Sequence, residues 1–67
     1  MVALEHAEVL GALRLLPQRQ REVLVLRYYA DLSESDIADS IGISRGAVKS
    51  HASRGMSALR ATLEATP

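Results

Sequence analysis

LSESDIADSIGISRGAVKSHASRGMSALR, residues 32–60, carries two helix starts and one helix stop. Ser33 stands where an N-cap belongs, since a serine hydroxyl can accept a hydrogen bond from a free amide of the first turn. Asp36, three residues on, completes a capping-box-like pair. Leu32 before the cap and Ile37 at the fourth helical position are spaced to close as a hydrophobic staple. The same grammar then repeats with Ile43, Ser44 and Val48. Between the two units lies Gly42, the residue best able to take the left-handed conformation that ends a helix. The stretch therefore predicts a helix over 34–41, a tight turn and a second helix over 45–63. That is the helix-turn-helix pattern, whose second helix enters the DNA major groove. An αα-hairpin with no DNA role shares the local grammar, so charge must separate the two readings.

The formal net charge is zero, which hides an asymmetry. Residues 1–40 hold four arginines against seven acids, a net of −3. Residues 41–67 hold Arg45, Lys49, Arg54 and Arg60 against Glu64 alone, a net of +3. The basic half is the second helix of the motif, which favours DNA contact by one element rather than by a broad basic surface.

The rest of the chain must supply a core. Sixty-seven residues with no cysteine make one small domain that neither disulfides nor a thiolate metal site can staple. Hydrophobic content of 48% with two aromatics, both tyrosine, suits a helical bundle better than a sheet. No apolar run approaches the roughly 20 residues that span a bilayer, and the N-terminus lacks a signal-peptide pattern. Residues 2–16 read as an amphipathic helix with Val2, Val9, Leu13 and Leu16 on one stripe, Ala3 and Leu10 beside it, and His6 along it. Leu4 and Leu15 point elsewhere. Pro17 ends that helix and opens the next, over 18–30. There Val23, Leu26 and Ala30 share a face, while Leu24, Val25, Tyr28 and Tyr29 spread apolar surface around the rest. A helix apolar nearly all round is either buried or serves a partner, and it is expected here at the centre of the bundle. Arg19, Arg21 and Arg27 read as solvated or ion-paired. The fold class is all-α: a small four-helix domain containing a helix-turn-helix.

At about 100° per residue, Val48, Ala52, Met56, Leu59 and Leu63 form the buried stripe of the last helix. Opposite them fall Gly46, Ala47, Ser50, Ser53, Arg54 and Ser57, with Lys49 and His51 at the margins. That face is small and polar, as a helix pressed into a groove must be. Gly46 is expected to permit close approach of DNA backbone, and Gly55 close approach of a neighbouring helix. No nucleophile–base pair, metal-ligand cluster or phosphate loop can be assembled, so no enzyme, cofactor or metal is expected.

Residues 16–60, from LP through REV, LRYY, LS, DIA, IGIS, GAVKS and SRG to the closing ALR, resemble domain 4 of sigma-70-family RNA polymerase sigma factors, most of all the extracytoplasmic-function group. The resemblance implies a four-helix unit whose last helix reads the −35 promoter element. Carried over by position, it implies base-edge reading by Lys49, Ser50 and Ser53. It implies phosphate gripping or helix positioning by Ser44, Arg45, His51 and Arg54. Ala52 departs from the family, which often has a larger apolar residue there. His51 departs too, since relatives often have arginine, and it could make phosphate binding pH-sensitive. The implied partners are double-stranded promoter DNA, the flap tip of the RNA polymerase β subunit and an anti-sigma factor, with no membrane. The implied place is the bacterial cytoplasm, at the nucleoid. The DNA-melting domain of such factors is missing, so the chain reads as a fragment of a longer one. The rival is the LuxR/GerE-type DNA-binding domain of a dimeric regulator, which shares REVL, LS, IA, IGIS and a VKSH-like segment and suits His51 better. A regulator of that kind requires paired half-sites, whereas a sigma domain reads one element as a monomer.

Val48 heads the buried stripe and is the staple partner of Ile43. Val48→Ala is therefore expected to cost about 1–3 kcal/mol in thermal or denaturant unfolding. A variant as stable as the parent would mean that the helix phase is wrong.

Overall fold

The computed structural model describes residues 6–65. All regular structure among them is helical: α1 (His6–Arg14), α2 (Gln18–Leu24) running on into a π-helical turn (Val25–Tyr29), α3 (Glu34–Ile41) and α4 (Arg45–Glu64). Residues 2–5 of the expected first helix, and the side chain of His6, lie outside the described residues. That helix stops at Arg14, two residues earlier than its periodicity suggests. The amides of Leu15 and Leu16 bond the carbonyls of Ala12 and Leu13, tightening the last turn ahead of Pro17. Pro17 serves as the N-cap of α2 rather than its first helical residue, and its carbonyl accepts from the Arg21 amide.

Both serine caps form. The Ser33 hydroxyl accepts from the Asp36 amide at 3.1 Å and the Ser44 hydroxyl from the Ala47 amide at 3.0 Å. Gly42 takes φ 71°, ψ 38°, and the Gly42 and Ile43 amides both close on the Ala38 carbonyl. A left-handed residue with such a six-to-one hydrogen bond turns the chain sharply out of α3 and into the cap of α4.

Two apolar clusters hold the helices. Val23, Ile37 and Val48 are fully buried and, with Ala38, join α2, α3 and the first half of α4. Leu26, Leu32, Ile41 and Ile43 pack around them, so both staples close on this cluster. Leu13, Leu16 and Leu24 form the second cluster with Val9, Met56 and Leu59, joining α1, α2 and the second half of α4. Val23 and Leu24, neighbours in sequence, point into different clusters. Ala52 touches both.

Helix α4, packed on α1, α2 and α3, is the central element, and not the 18–30 segment as expected. Val25 is 37% exposed, Tyr28 62% and Tyr29 54%, so much of that segment's apolar surface faces outward. The reason is the π turn. The Ala30 amide reaches back five residues to the Val25 carbonyl, and the Leu32 amide six to that of Leu26. This wider turn breaks the 3.6-residue phase, and Ala30, expected on the buried face, is exposed. Asp31 then reverses the chain at φ 56°, a conformation aspartate tolerates better than most residues. The helix arginines are used locally. Arg19 pairs with Glu22 at 3.1 Å, Arg21 donates to the Arg14 carbonyl at 3.4 Å, and Arg27 donates to the Leu32 carbonyl at 3.3 Å.

The two glycines of α4 make opposite demands. A Cβ on Gly55 would lie 3.1 Å from Leu24 Cδ1 and 3.3 Å from Gln20 Cβ, and Leu24 is itself buried. A Cβ on Gly46 would meet only the Ser44 hydroxyl oxygen, at 3.9 Å. Gly46→Ala is therefore expected to raise stability by about 0.5–1 kcal/mol through helix propensity. Gly55→Ala is expected to lower it by about 1 kcal/mol net, because crowding outweighs that gain. Urea unfolding of the two variants checks the opposite signs.

Candidate nucleic-acid interface

The exposed face of α4 begins at its cap. Ser44 orients the first turn through its hydroxyl, and its carbonyl accepts from the Val48 amide at 3.0 Å. Val48, fully buried, then fixes the rotation of the helix. With Val48 inward, Ser44, Arg45, Lys49, Ser50, Ser53 and Arg54 are all exposed and His51 is half-buried. Lys49 and Ser53 are one turn apart, as are Ser50 and Arg54, so each pair is separated by about 6 Å along the axis. Six of the seven residues singled out from the sequence thus share one accessible stretch of the helix. His51 differs, because its Nδ1 is shut off from solvent.

The electrostatics are simple. Among the described residues the Arg19–Glu22 pair is the one salt bridge, so no carboxylate neutralises Arg45, Lys49 or Arg54. The nearest acids upstream in sequence, Asp36 and Asp39, lie on the solvated side of α3. Asp36 and Glu34 occupy the first turn of α3, where the helix dipole favours negative charge. Ser50 and Ser53 lie between Lys49 and Arg54 around the helix, so small hydroxyls are flanked by cations. Such a face can enter a groove with its centre while its edges meet phosphates. Gly46 is exposed and open, compatible with close approach of another backbone.

A second surface was not singled out from the sequence. Val9, Leu13, Leu24, Tyr28, Tyr29, Met56 and Leu59 line an apolar groove of about 190 Å³. It continues along α4 into a hollow bounded by Met56, Leu59, Arg60, Leu63 and Glu64. The periodicity of residues 18–30 carried half of the signal, excess apolar surface, but only the π turn aims the tyrosines there. Among the described residues no His, Asp or Glu cluster could hold a metal ion, and no helix is long and apolar enough to cross a membrane.

A helix-turn-helix with this cap-turn-cap order can be set beside known proteins. The family profile described as "Sigma-70, region 4" matches residues 6–59. The chain belongs to the sigma-70 region 4 family. It is 37% identical over 60 residues to an RNA polymerase sigma-E factor of Streptomyces antibioticus, covering 90% of this chain and 33% of that one. It is 39% identical over 62 residues to the RNA polymerase sigma factor SigF of Mycobacterium tuberculosis, covering 91% of this chain and 24% of that one. An RNA polymerase sigma-F factor of Kitasatospora aureofaciens is 33% identical over 61 residues. The chain thus spans a third or less of the length of these relatives. The LuxR/GerE-type alternative is not favoured, since the matches are to sigma factors.

Ser44 both caps α4 and lies at the edge of the candidate interface. Ser44→Ala is expected to cost about 1 kcal/mol, and Ser44→Asp, which keeps an acceptor, is expected to restore it. Thermal unfolding of the pair checks the cap; equal stability of all three proteins would remove it.

Proposed function

We propose that this chain is the promoter-reading unit of a bacterial sigma factor, recognising the −35 element and working in the cytoplasm at the nucleoid. Membership of the sigma-70 region 4 family supports the class of function. The observation that carries the reading is the unpaired cationic face of α4, whose phase is held by the buried Val48. Lys49, Ser50 and Ser53 are assigned to base edges, where lysine donates to the guanine acceptor pair and serine serves as donor or acceptor. Ser44, Arg45, His51 and Arg54 are assigned to phosphates. The chain's share of its relatives' length supports its being one unit of a larger factor.

The apolar groove between α1, the π turn and α4 is assigned to the flap tip of the RNA polymerase β subunit. It offers exposed Tyr28 and Tyr29 beside Met56 and Leu59, a surface suited to an amphipathic helix. An anti-sigma factor would act by covering the same surfaces. Sigma-E-named relatives are consistent with the extracytoplasmic-function group.

The test is binding to a library of duplexes carrying single-base substitutions in the preferred site. Lys49→Ala or Ser50→Ala should lose discrimination at one or two positions, about 1–3 kcal/mol each. Arg54→Ala should weaken all sequences about equally and flatten the salt dependence by about one unit from a parent slope of roughly −3 to −4. A parent slope near zero would remove the DNA reading. Capture of core polymerase that survives deletion of the flap tip would remove the groove assignment.

A further inference from the structure

His51 departs from its neighbours on the α4 face in one respect. Its ring is half-buried, and of its two nitrogens only Nδ1 is closed off from solvent. That Nδ1 has no hydrogen-bond partner among the described residues, and the side chain makes no other hydrogen bond or ion pair there. Nε2 is therefore the nitrogen open to the surroundings. Neutral imidazole carries one proton, on either nitrogen, and the other nitrogen is then a bare acceptor. The two choices differ in cost. Protonation at Nδ1 would enclose a donor that no acceptor reaches, whereas protonation at Nε2 puts the ring's one donor where an outside acceptor can meet it.

We infer that the fold locks neutral His51 in the tautomer protonated at Nε2, making it an uncharged, donor-only contact from α4 to an acceptor oxygen or nitrogen of DNA. This inference rests on the DNA reading of α4 and adds the atom and the polarity of the contact. A donor-only group can meet a phosphate oxygen, guanine O6 or N7, adenine N7 or thymine O4, and cannot accept from the cytosine amino group. On the edge of the face, one turn from Ala47 and flanking Ser50, a phosphate oxygen is the acceptor the geometry favours. The contact adds no charge, so it holds the helix in register without adding to the counterion release on which Arg45, Lys49 and Arg54 draw. Arginine at this position would add that charge and a fork of donors.

Two measurements on the 67-residue chain test it, both at about pH 8. Nitrogen-15 NMR of the free protein reads the tautomer directly, and Nδ1 is expected bare with Nε2 protonated. Binding of a preferred duplex then compares side chains that copy each half of the ring. His51→Gln keeps an N–H donor near the Nε2 position and should bind within about twofold of the parent. His51→Asn moves the donor back toward Nδ1 and should lose about as much as His51→Ala, on the order of five- to tenfold. The salt slope should be the same for the parent and all three variants. Protonation at Nδ1, or an even mixture of tautomers, would overturn the proposal whatever the DNA results. Equal binding by all four proteins would overturn the contact. A parent that binds no duplex would overturn the DNA reading itself and with it the contact, and the NMR spectrum separates that failure from a wrong tautomer.

Discussion

The close approach of α2 and α4 at Gly55 is the constraint on which the rest of the domain depends. With no side chain at that point, α4 settles so close to Leu24 and Gln20 that a Cβ would crowd them and push them back by a few tenths of an ångström. Leu24 can then reach the second cluster while Val23, its neighbour, closes the first. Ala52, three residues before the glycine, is small enough to serve both. A larger apolar side chain there would have to displace one of them. In a chain this short, where the buried surface is modest, two clusters sharing one helix are a better use of few apolar residues than two separate cores.

Charge follows from the same division of labour. Two of the three acids of α3, Glu34 and Asp36, sit in its first turn, where the backbone dipole favours them, and no carboxylate pairs with the cations in the first turns of α4. The basic side chains there are held by helix geometry and by one fully buried valine rather than by ion pairs. Exposed pairs would in any case add little stability. Leaving the cations unpaired therefore costs the fold almost nothing and keeps them available to an anionic partner.

What could be read in advance was local or periodic. Ser33, Gly42 and Ser44 announce helix ends through their own chemistry, and the span 34–41 agrees with the structure because both of its ends carry such a signal. The buried phase of α4 follows from a regular 3.6-residue repeat anchored at Val48. Illegible features were those in which the backbone leaves that repeat. Nothing in VLRYY marks a π turn, and Asp31 with a positive φ has no pattern of its own. Tyr28 and Tyr29 were therefore assigned to a buried centre that they do not occupy. The enclosed Nδ1 of His51 was equally out of reach, because which ring atom is covered depends on packing from other helices.

Helix α4 is continuous from Arg45 to Glu64, so its 20 residues form a rod about 30 Å long. Its leading half carries Arg45, Lys49 and Arg54 and its trailing half the apolar groove. No hinge, proline or kink-forming pair interrupts it between them. On the proposed reading the rod acts as a ruler: whatever grips one end is held at a fixed distance and bearing from whatever grips the other. A promoter and an enzyme joined through such a rod could not slide relative to one another without melting a helix.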